Sequence, residues 1–168
     1  RFQAEQKLDE IQKRLQQLLE QQNALSEEIN NLDSDTKSST SQRYAQEQQR
    51  NLDELENILS LMDDASTLVE PFSQNSSKEL SSLTESDLSK ETESFLEETA
   101  NSLKNEEFQN SQNYSSSSVE NLGTMMQKMN DIQQNFQKET VLKMAQKFEK
   151  LMQNMLYLSS QEENLKSD

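Results

Sequence analysis

The residues best suited to chemistry in this sequence are carboxylic acids in adjacent pairs, at Asp63-Asp64, Glu97-Glu98 and Glu162-Glu163. Two carboxylates can share general acid and general base work when both reach the same bond. Neighbouring residues on a helix do not face one another, so these pairs do not converge on one point. We therefore expect no catalytic residue among them.

Other familiar kinds of site lack the residues that build them. The chain has no His and no Cys, which excludes ordinary zinc sites, His-based triads, and haem or iron–sulfur ligation. A carboxylate-bridged di-iron bundle needs inward-facing Glu-x-x-His pairs. Gly123 is the only glycine, so no glycine-rich phosphate loop can form. The sequence predicts a protein that is not an enzyme, with no catalytic, cofactor-binding or metal-binding residue.

Methionine is the other residue type that suggests a function. Six methionines cluster in the last third of the chain, at Met125, Met126, Met129, Met144, Met152 and Met155. Methionine-rich surfaces accommodate varied partners. Helical spacing favours core filling over a binding surface for these residues, and both interpretations stay open here.

The elements that position these side chains are indicated by apolar residues at heptad spacing. Gln22 interrupts the first series of heptad-spaced apolar residues, which runs from Leu8 to Leu32. The predicted helix-packing seam consists of Leu8, Ile11, Leu15, Leu18, Leu25, Ile29, Leu32, Leu52, Leu55, Leu59, Met62, Val69, Phe108, Leu122, Met125, Met129, Ile132, Phe136, Val141, Met144, Phe148, Leu151, Met155 and Leu158.

The hydrophobic content of the chain is low for a folded domain. Hydrophobic residues make up only 30% of the 168 residues, and the mean hydropathy is −1.04, whereas ordinary globular domains are about 45–50% apolar. The regular placement of those residues and the single Gly and single Pro favour helices over strands and turns.

Helix limits follow from the pattern and from the residues that interrupt it. We predict helices near residues 2–32, 42–70, 88–104, 106–134 and 139–160, with Ser89 or Asp87 capping the third and Asn105 the fourth. The polar run 33–41 and the segment 71–87 are expected to be weakly structured connections, with a short helix as the alternative for 71–87. Pro71 should end the second helix. The five-residue step from Phe136 to Val141 predicts a break near 134–139, or a local unwinding within one long helix.

Three serines, Ser111, Ser115 and Ser118, fall on seam positions of the fourth helix. Small side chains at a seam let a neighbouring helix approach closely. Serine is also a modest helix former. The stretch is therefore either a close helix contact or a frayed segment.

The net charge of −15 limits the kinds of partner. Residues 51–110 alone carry 3 basic and 15 acidic side chains. Such a field repels nucleic acid and anionic lipid. It indicates a solvated surface, or alternatively a docking face for a basic protein. The sequence also has no apolar run of about 18 residues, so no membrane span is predicted in it.

Three stretches carry a resemblance to a known family: EIQKRLQQLLEQQNALSEEI at 10–29, FLEETANSLKNEEFQNSQNYSSSSVENLGTMMQKM at 95–129, and KLMQNMLYLSSQEENLKSD at 150–168. They resemble, in order, parts of a family of large bacterial envelope proteins of unknown function. Members of that family have transmembrane anchors near the N-terminus and a long Gln/Glu/Met-rich helical region outside the cytoplasm. This sequence differs in lacking an anchor and in being richer in Ser and Asn.

Together these observations predict an all-α, elongated antiparallel helical bundle with coiled-coil-like hairpins and about five helices, forming one region over 1–168. The chain is expected to be a fragment of a larger protein on the extracytoplasmic side of the bacterial envelope, with the cytoplasm as the alternative. Its expected function is that of a non-catalytic scaffold that packs on helical segments of its own chain or on a protein partner. The alternative is an acidic, Met-rich module that binds a basic or amphipathic-helix partner. The oligomeric state stays open, because a heptad seam can pair within or between chains.

Overall fold

A computed structural model describes the backbone of residues 1–167 and the side chains of residues 1–166. This part of the chain contains five α-helices and no strand. The helices are α1 Phe2–Asn30, α2 Ser38–Val69, α3 Gln74–Thr84, α4 Asp87–Lys104 and α5 Phe108–Ser167. The all-α prediction is confirmed.

The helices form an antiparallel bundle with four legs, because α3 and α4 follow one another along a single leg. Gln12 near the start of α1 donates to Asn130 of α5, whereas Gln112 of α5 donates to the carbonyl of Ile29 at the end of α1, 3.3 Å away. The α1 and α5 helices therefore run in opposite directions. At one end, Ser41 of α2 donates to the carbonyl of Leu103 in α4.

The apolar side chains of the four legs meet in two buried clusters. The larger one includes Leu8, Met62 and Phe136, and the smaller one contains Ile29 and Leu103. All the predicted seam residues up to Phe136 are buried except Phe108, which is half-buried against the smaller cluster. Heptad placement thus identified the bundle core, although the apolar fraction is low.

The loop between α1 and α2 is shorter than expected. Helix α2 begins at Ser38 and not near residue 42, and the amides of Thr40 and Ser41 both bond to the carbonyl of Lys37. Ser41 is fully buried. Its contact with α4 holds a serine-rich first turn that propensity alone disfavours. The polar run is therefore partly helix.

The segment predicted as a weakly structured connection, 71–87, contains helix α3. The Ser73 side chain accepts from the Ser76 amide at 3.0 Å and caps the helix. Leu80 and Leu83 are buried in the larger cluster. Pro71 does end α2, as expected. Tertiary burial of two leucines therefore stabilises a helix whose sequence pattern is weak.

The break between α3 and α4 is made by serine side chains. Ser86 is the cap of α4, in place of the predicted Ser89 or Asp87, and accepts from the Ser89 amide at 3.2 Å. The hydroxyls of Ser86 and Ser89 both donate to the carbonyl of Leu83, at 2.7 and 2.6 Å. These local bonds satisfy backbone groups that the helix break exposes.

A tight turn at the end of α4 reverses the chain into α5. Asn105 ends α4 and does not cap α5, contrary to expectation. The amides of Glu106 and Glu107 bond back to the carbonyls of Leu103 and Ser102, at 3.2 and 2.8 Å. This is the Schellman arrangement, which requires a left-handed residue. Glu106 adopts it, with a φ of 59°.

The predicted break at 134–139 is wrong, and the alternative of one long helix is what forms, because α5 continues from Phe108 to Ser167 with residues 134–139 α-helical throughout. The segment Gln-Asn-Phe-Gln-Lys-Glu contains no proline or glycine that would stop a helix. The register mismatch is instead accommodated by a change in the direction that the apolar face points. The separate fifth helix expected at 139–160 is therefore the second half of α5.

Candidate interaction surface

The acidic pairs do not form a site. Asp63, Asp64, Glu97 and Glu98 are all exposed on the bundle surface. Within the described residues, no three carboxylates, His or Cys come together in a group that could hold a metal ion. The features with functional potential are an apolar helix surface at the end of α5 and a polar layer inside the bundle.

Helix α5 leaves the bundle after Thr140, whose side chain is still buried. Residues 141–166, here called the arm, are all exposed. At 1.5 Å per residue the arm is about 39 Å long. It presents large apolar side chains that are 46–77% exposed, namely Val141, Leu142, Met144, Phe148, Leu151, Met152, Met155, Leu156, Tyr157, Leu158 and Leu165.

Six predicted seam residues lie on the arm and keep their heptad spacing: Val141, Met144, Phe148, Leu151, Met155 and Leu158. We call this set the arm stripe. No other described element covers it, so the expectation that these residues pack within the bundle is not met. The bundle seam continues to Thr140, and the arm stripe begins one residue later. One residue on an α-helix turns the face by about 100°, so the arm stripe points away from the bundle axis.

The base of the arm is fixed to the end of the bundle. The Lys143 ammonium donates to the carbonyl of Phe72 at 2.7 Å, in the connection between α2 and α3. Arg1 makes a side-chain contact with the sulfur of Met144. These contacts hold the first turn, and the remaining turns extend into solvent.

The bundle and the arm differ in net charge. Residues 1–140 carry 12 basic and 27 acidic side chains, a net charge of −15, whereas residues 141–168 carry four of each and are neutral. One half-buried acid of the bundle is affected by both its surroundings and a neighbouring charge. Burial, together with the charge of Glu56, raises the pKa of the Glu93 carboxyl. A partner of the arm therefore meets little net charge there.

The charges of the arm are also unevenly placed along it. Lys143, Lys147 and Lys150 lie in the half near the bundle, with Glu149 as their one acid. The far half carries Glu162 and Glu163 with Lys166. The arm thus has a basic near half and a weakly acidic far half.

The polar layer surrounds Gln22 between the two apolar clusters. The Gln22 amide nitrogen donates to Gln48 at 2.9 Å and to Ser118 at 3.0 Å. Its carbonyl oxygen accepts from Gln48 at 3.0 Å and from Asn51 at 2.7 Å. Gln22, Gln48 and Ser118 are fully buried. A satisfied polar group at a core position fixes helix register, at some cost in stability.

The serines of α5 form a close helix contact and not a frayed stretch. Ser111, Ser115 and Ser118 are fully buried within a continuous helix. Ser111 and Ser118 donate to carbonyls one turn earlier, at 2.8 and 2.7 Å. The Ser115 hydroxyl is buried without a hydrogen-bond partner. Ser118 also joins the polar layer, which the sequence reasoning did not foresee.

The methionines divide between the two interpretations. Met125 and Met129 are fully buried in the core and Met126 packs beside it. Met144 and Met155 are more than half exposed on the arm, and Met152 is nearly half exposed there. Core filling was thus the correct prediction for the bundle and the wrong one for the arm.

Sequence reasoning missed Gln48 and Asn51, which complete the Gln22 layer. Both precede Leu52 and Leu55 by a few residues, and Gln48 lies seven residues before Leu55. A heptad ladder extended upstream from Leu55 would therefore have placed Gln48 on the seam. Gln22 and Gln48, two glutamines at seam positions of adjacent helices, were the available signal for a buried polar layer.

Among the described residues, no helix is both long enough and apolar enough to cross a membrane. Comparison of the chain with known proteins gives no matching family model, no matching curated protein and no matching solved structure.

Proposed function

We propose that this protein is a non-catalytic helical scaffold module in which the bundle holds the arm as a docking helix. The observation that carries the proposal is the arm stripe, an exposed heptad surface on a helix that is continuous with the bundle. In this proposal the bundle supplies a rigid base, and the arm makes the interaction.

The energetic argument is that an apolar helix in water needs a partner. Fully burying a Leu, Phe or Met side chain stabilises by about 1.5–3 kcal/mol, so covering side chains that are half to two-thirds exposed gives about 1–2 kcal/mol each. Most of the stability of helices in proteins comes from packing such a face. Contiguous exposed apolar surface of this size is typical of interaction sites.

A binding module remains the second candidate, and the exposed Met144, Met152 and Met155 favour it. Flexible thioether side chains let one helix face accept several partner shapes. In this candidate the partner is an amphipathic helix that lies along the arm. The acidic bundle would then favour partners with basic flanks, because residues 1–140 carry all the net negative charge.

We also propose that the module belongs to a membrane-anchored protein of the bacterial envelope and lies outside the cytoplasm. The support for this location is the family resemblance of residues 10–29, 95–129 and 150–168. A fractionation experiment with an antibody to the bundle would test the location independently of the docking function.

Position-specific photo-crosslinking in the cell that makes the protein tests the docking function. A photoreactive amino acid at Phe148 or Leu151 lies on the arm stripe, whereas one at Gln146 or Gln153 lies on the opposite face of the arm. We expect covalent adducts from the first pair of positions and few from the second. Equal adducts from both faces, or none from either, would contradict a docking helix.

A further inference from the structure

We propose that the arm stripe pairs with the arm stripe of a second copy of this chain, with the two arms antiparallel. The inference rests on the proposed docking function and names its partner. It follows from the heptad spacing of the stripe, the area that it offers and the distribution of charge along the chain.

Heptad spacing is the geometry that two similar helices need to pack. Val141, Phe148 and Met155 occupy one seam position, and Met144, Leu151 and Leu158 occupy the other. In an antiparallel pair, residues of the first set lie opposite residues of the second set. Each side chain then fills a hole formed by residues of the facing helix. The surface is therefore self-complementary.

The available area is that of a weak dimer. Eight of the exposed apolar side chains lie on or beside the arm stripe, whereas Leu142, Leu156 and Tyr157 lie toward the opposite face. At roughly 50 Å² of exposed apolar surface each, the eight offer about 400 Å² per arm and about 800 Å² for a pair, which is in the range of weak and transient interfaces. An interface of this size predicts a dimer with a Kd of about 10–100 μM.

Charge selects the antiparallel direction. Lys143, Lys147 and Lys150 in the near half would face the same residues in a parallel pair. In an antiparallel pair they approach the far half, which carries Glu162 and Glu163. The antiparallel direction also places the two bundles, each with a net charge of −15 over residues 1–140, at opposite ends. Their separation of about 39 Å is several Debye lengths at physiological salt.

The heptad pattern and the length of the arm select the register. An antiparallel pair centred at Gln153 overlaps the whole of both arms and places seam residues opposite seam residues, with each helix end beside residue 140 of the facing chain. Val141 then lies opposite Leu165 of the second copy, and Phe148 lies opposite Leu158. In the same register Met144 meets Glu162, whose carboxylate lies close to the end of the paired region and can reach water.

Analytical ultracentrifugation of the full chain over about 1–200 μM tests the pairing. A monomer has a mass of 19.5 kDa, and we expect the weight-average mass to approach twice that value as concentration rises. Phe148→Glu should keep the chain monomeric over the whole range. Gln146→Glu adds the same charge on the opposite face, and it should dimerise like the parent. Circular dichroism of both variants reports whether the bundle is folded.

Three results would overturn the pairing. They are a parent chain that stays monomeric at every concentration, a dimer that survives Phe148→Glu, and a dimer that Gln146→Glu weakens equally. If stripe-specific photo-crosslinking gives adducts whose mass is not that of two chains while the parent stays monomeric, the docking function stands and the second copy is wrong. If neither experiment gives a positive result, both proposals fail.

Cysteine chemistry tests the direction, because the chain has no cysteine of its own. A mixture of Val141→Cys and Leu165→Cys chains should be joined by a short bis-maleimide, whereas each variant alone should not. Crosslinking of Val141→Cys chains to one another would contradict the antiparallel arrangement.

Discussion

At the scale of single residues, Gln22 is the side chain on which the bundle interior depends most specifically. It exchanges hydrogen bonds with Gln48 and accepts one from Asn51, all from buried positions. Removing Gln22 would leave the groups facing it without partners, and an unsatisfied buried polar group costs about 1–3 kcal/mol. A chain that keeps an uncommon polar layer in a small core thus gives up some stability for a defined helix register.

We expect Gln22→Ala to lower the free energy of unfolding by about 2–4 kcal/mol, because it adds a small cavity to the lost hydrogen bonds. Urea denaturation followed by circular dichroism measures the change. Gln17 is an exposed glutamine of the same helix, and Gln17→Ala should change stability by no more than about 0.5 kcal/mol. Equal effects of the two substitutions would show that the polar layer is not buried in solution.

Glu106 offers a prediction of the opposite sign. Its left-handed backbone, with a φ of 59°, is unfavourable for a residue with a Cβ. Glu106→Gly should therefore raise the free energy of unfolding by about 0.5–1 kcal/mol. The neighbouring Glu107 is not in that conformation. Glu107→Gly should destabilise by a similar amount, because glycine adds freedom to the unfolded chain. A destabilising Glu106→Gly would mean that the turn differs in solution.

At the scale of elements, α5 performs two tasks with one continuous backbone. Its first half is a leg of the bundle, and its second half is the arm. Phe136 is fully buried and Phe148, three turns later, is 65% exposed. The same residue type on one helix therefore allows a direct comparison of the two halves.

Phe136→Ala should lower the free energy of unfolding by about 3–5 kcal/mol, as expected for loss of a buried aromatic side chain. Phe148→Ala should change the stability of the bundle by less than about 0.5 kcal/mol when the chain is dilute. Denaturant titrations of both variants compare their free energies of unfolding. They are run at about 1 μM chain, which is below the concentrations at which arms are expected to pair. A large cost for Phe148→Ala would indicate that the arm folds back on the bundle.

The elements also show how far the sequence could predict this fold. The regular heptad spacing of apolar residues from Leu8 to Ile29 and from Leu52 to Val69 correctly predicted α1, α2 and their buried faces. Helix α3 was weakly predicted, because its burial depends on only a few side chains and a serine cap. The break expected after Phe136 was inferred from register, but register alone does not interrupt a backbone that contains no helix-breaking residue.

The candidate surface was predicted only in part. The heptad positions from Val141 to Leu158 were recognised, but the same spacing describes a seam that is buried within a bundle and one that faces solvent. What separates the two cases is how many legs are available to cover the face. The four legs of the bundle are already complete at Thr140, which is a property of the assembled fold and not of any local pattern.

At the scale of the whole molecule, the dominant electrostatic feature is self-repulsion within residues 1–140. Few ion pairs offset it between helices. Arg14 forms one, with bidentate contacts of 2.7 and 2.8 Å to Glu54, and the pKa of its guanidinium is raised mainly by the hydrogen bond to that carboxylate. The raised pKa of Glu93 has the opposite origin, since burial and Glu56 both oppose its charge.

We therefore expect salt to stabilise this protein. Raising sodium chloride from about 0.02 to 0.3 M shortens the Debye length from about 20 Å to about 6 Å, which screens the repulsion among acidic side chains. The thermal unfolding midpoint should rise by a few degrees, and potassium chloride should give the same rise. A fall in the midpoint would indicate that attractive pairs such as Arg14–Glu54 outweigh the repulsion.

The unbroken backbone of α5 has a mechanical consequence. Between Phe136 and Phe148 the helix contains no proline or glycine at which it could bend, so a twist applied to the arm passes along one backbone toward the core of the bundle. Lys143, bonded to the Phe72 carbonyl, is the first contact with the bundle that such a twist meets. We expect a load on the far end of the arm to strain this contact before it reaches core side chains such as Phe136.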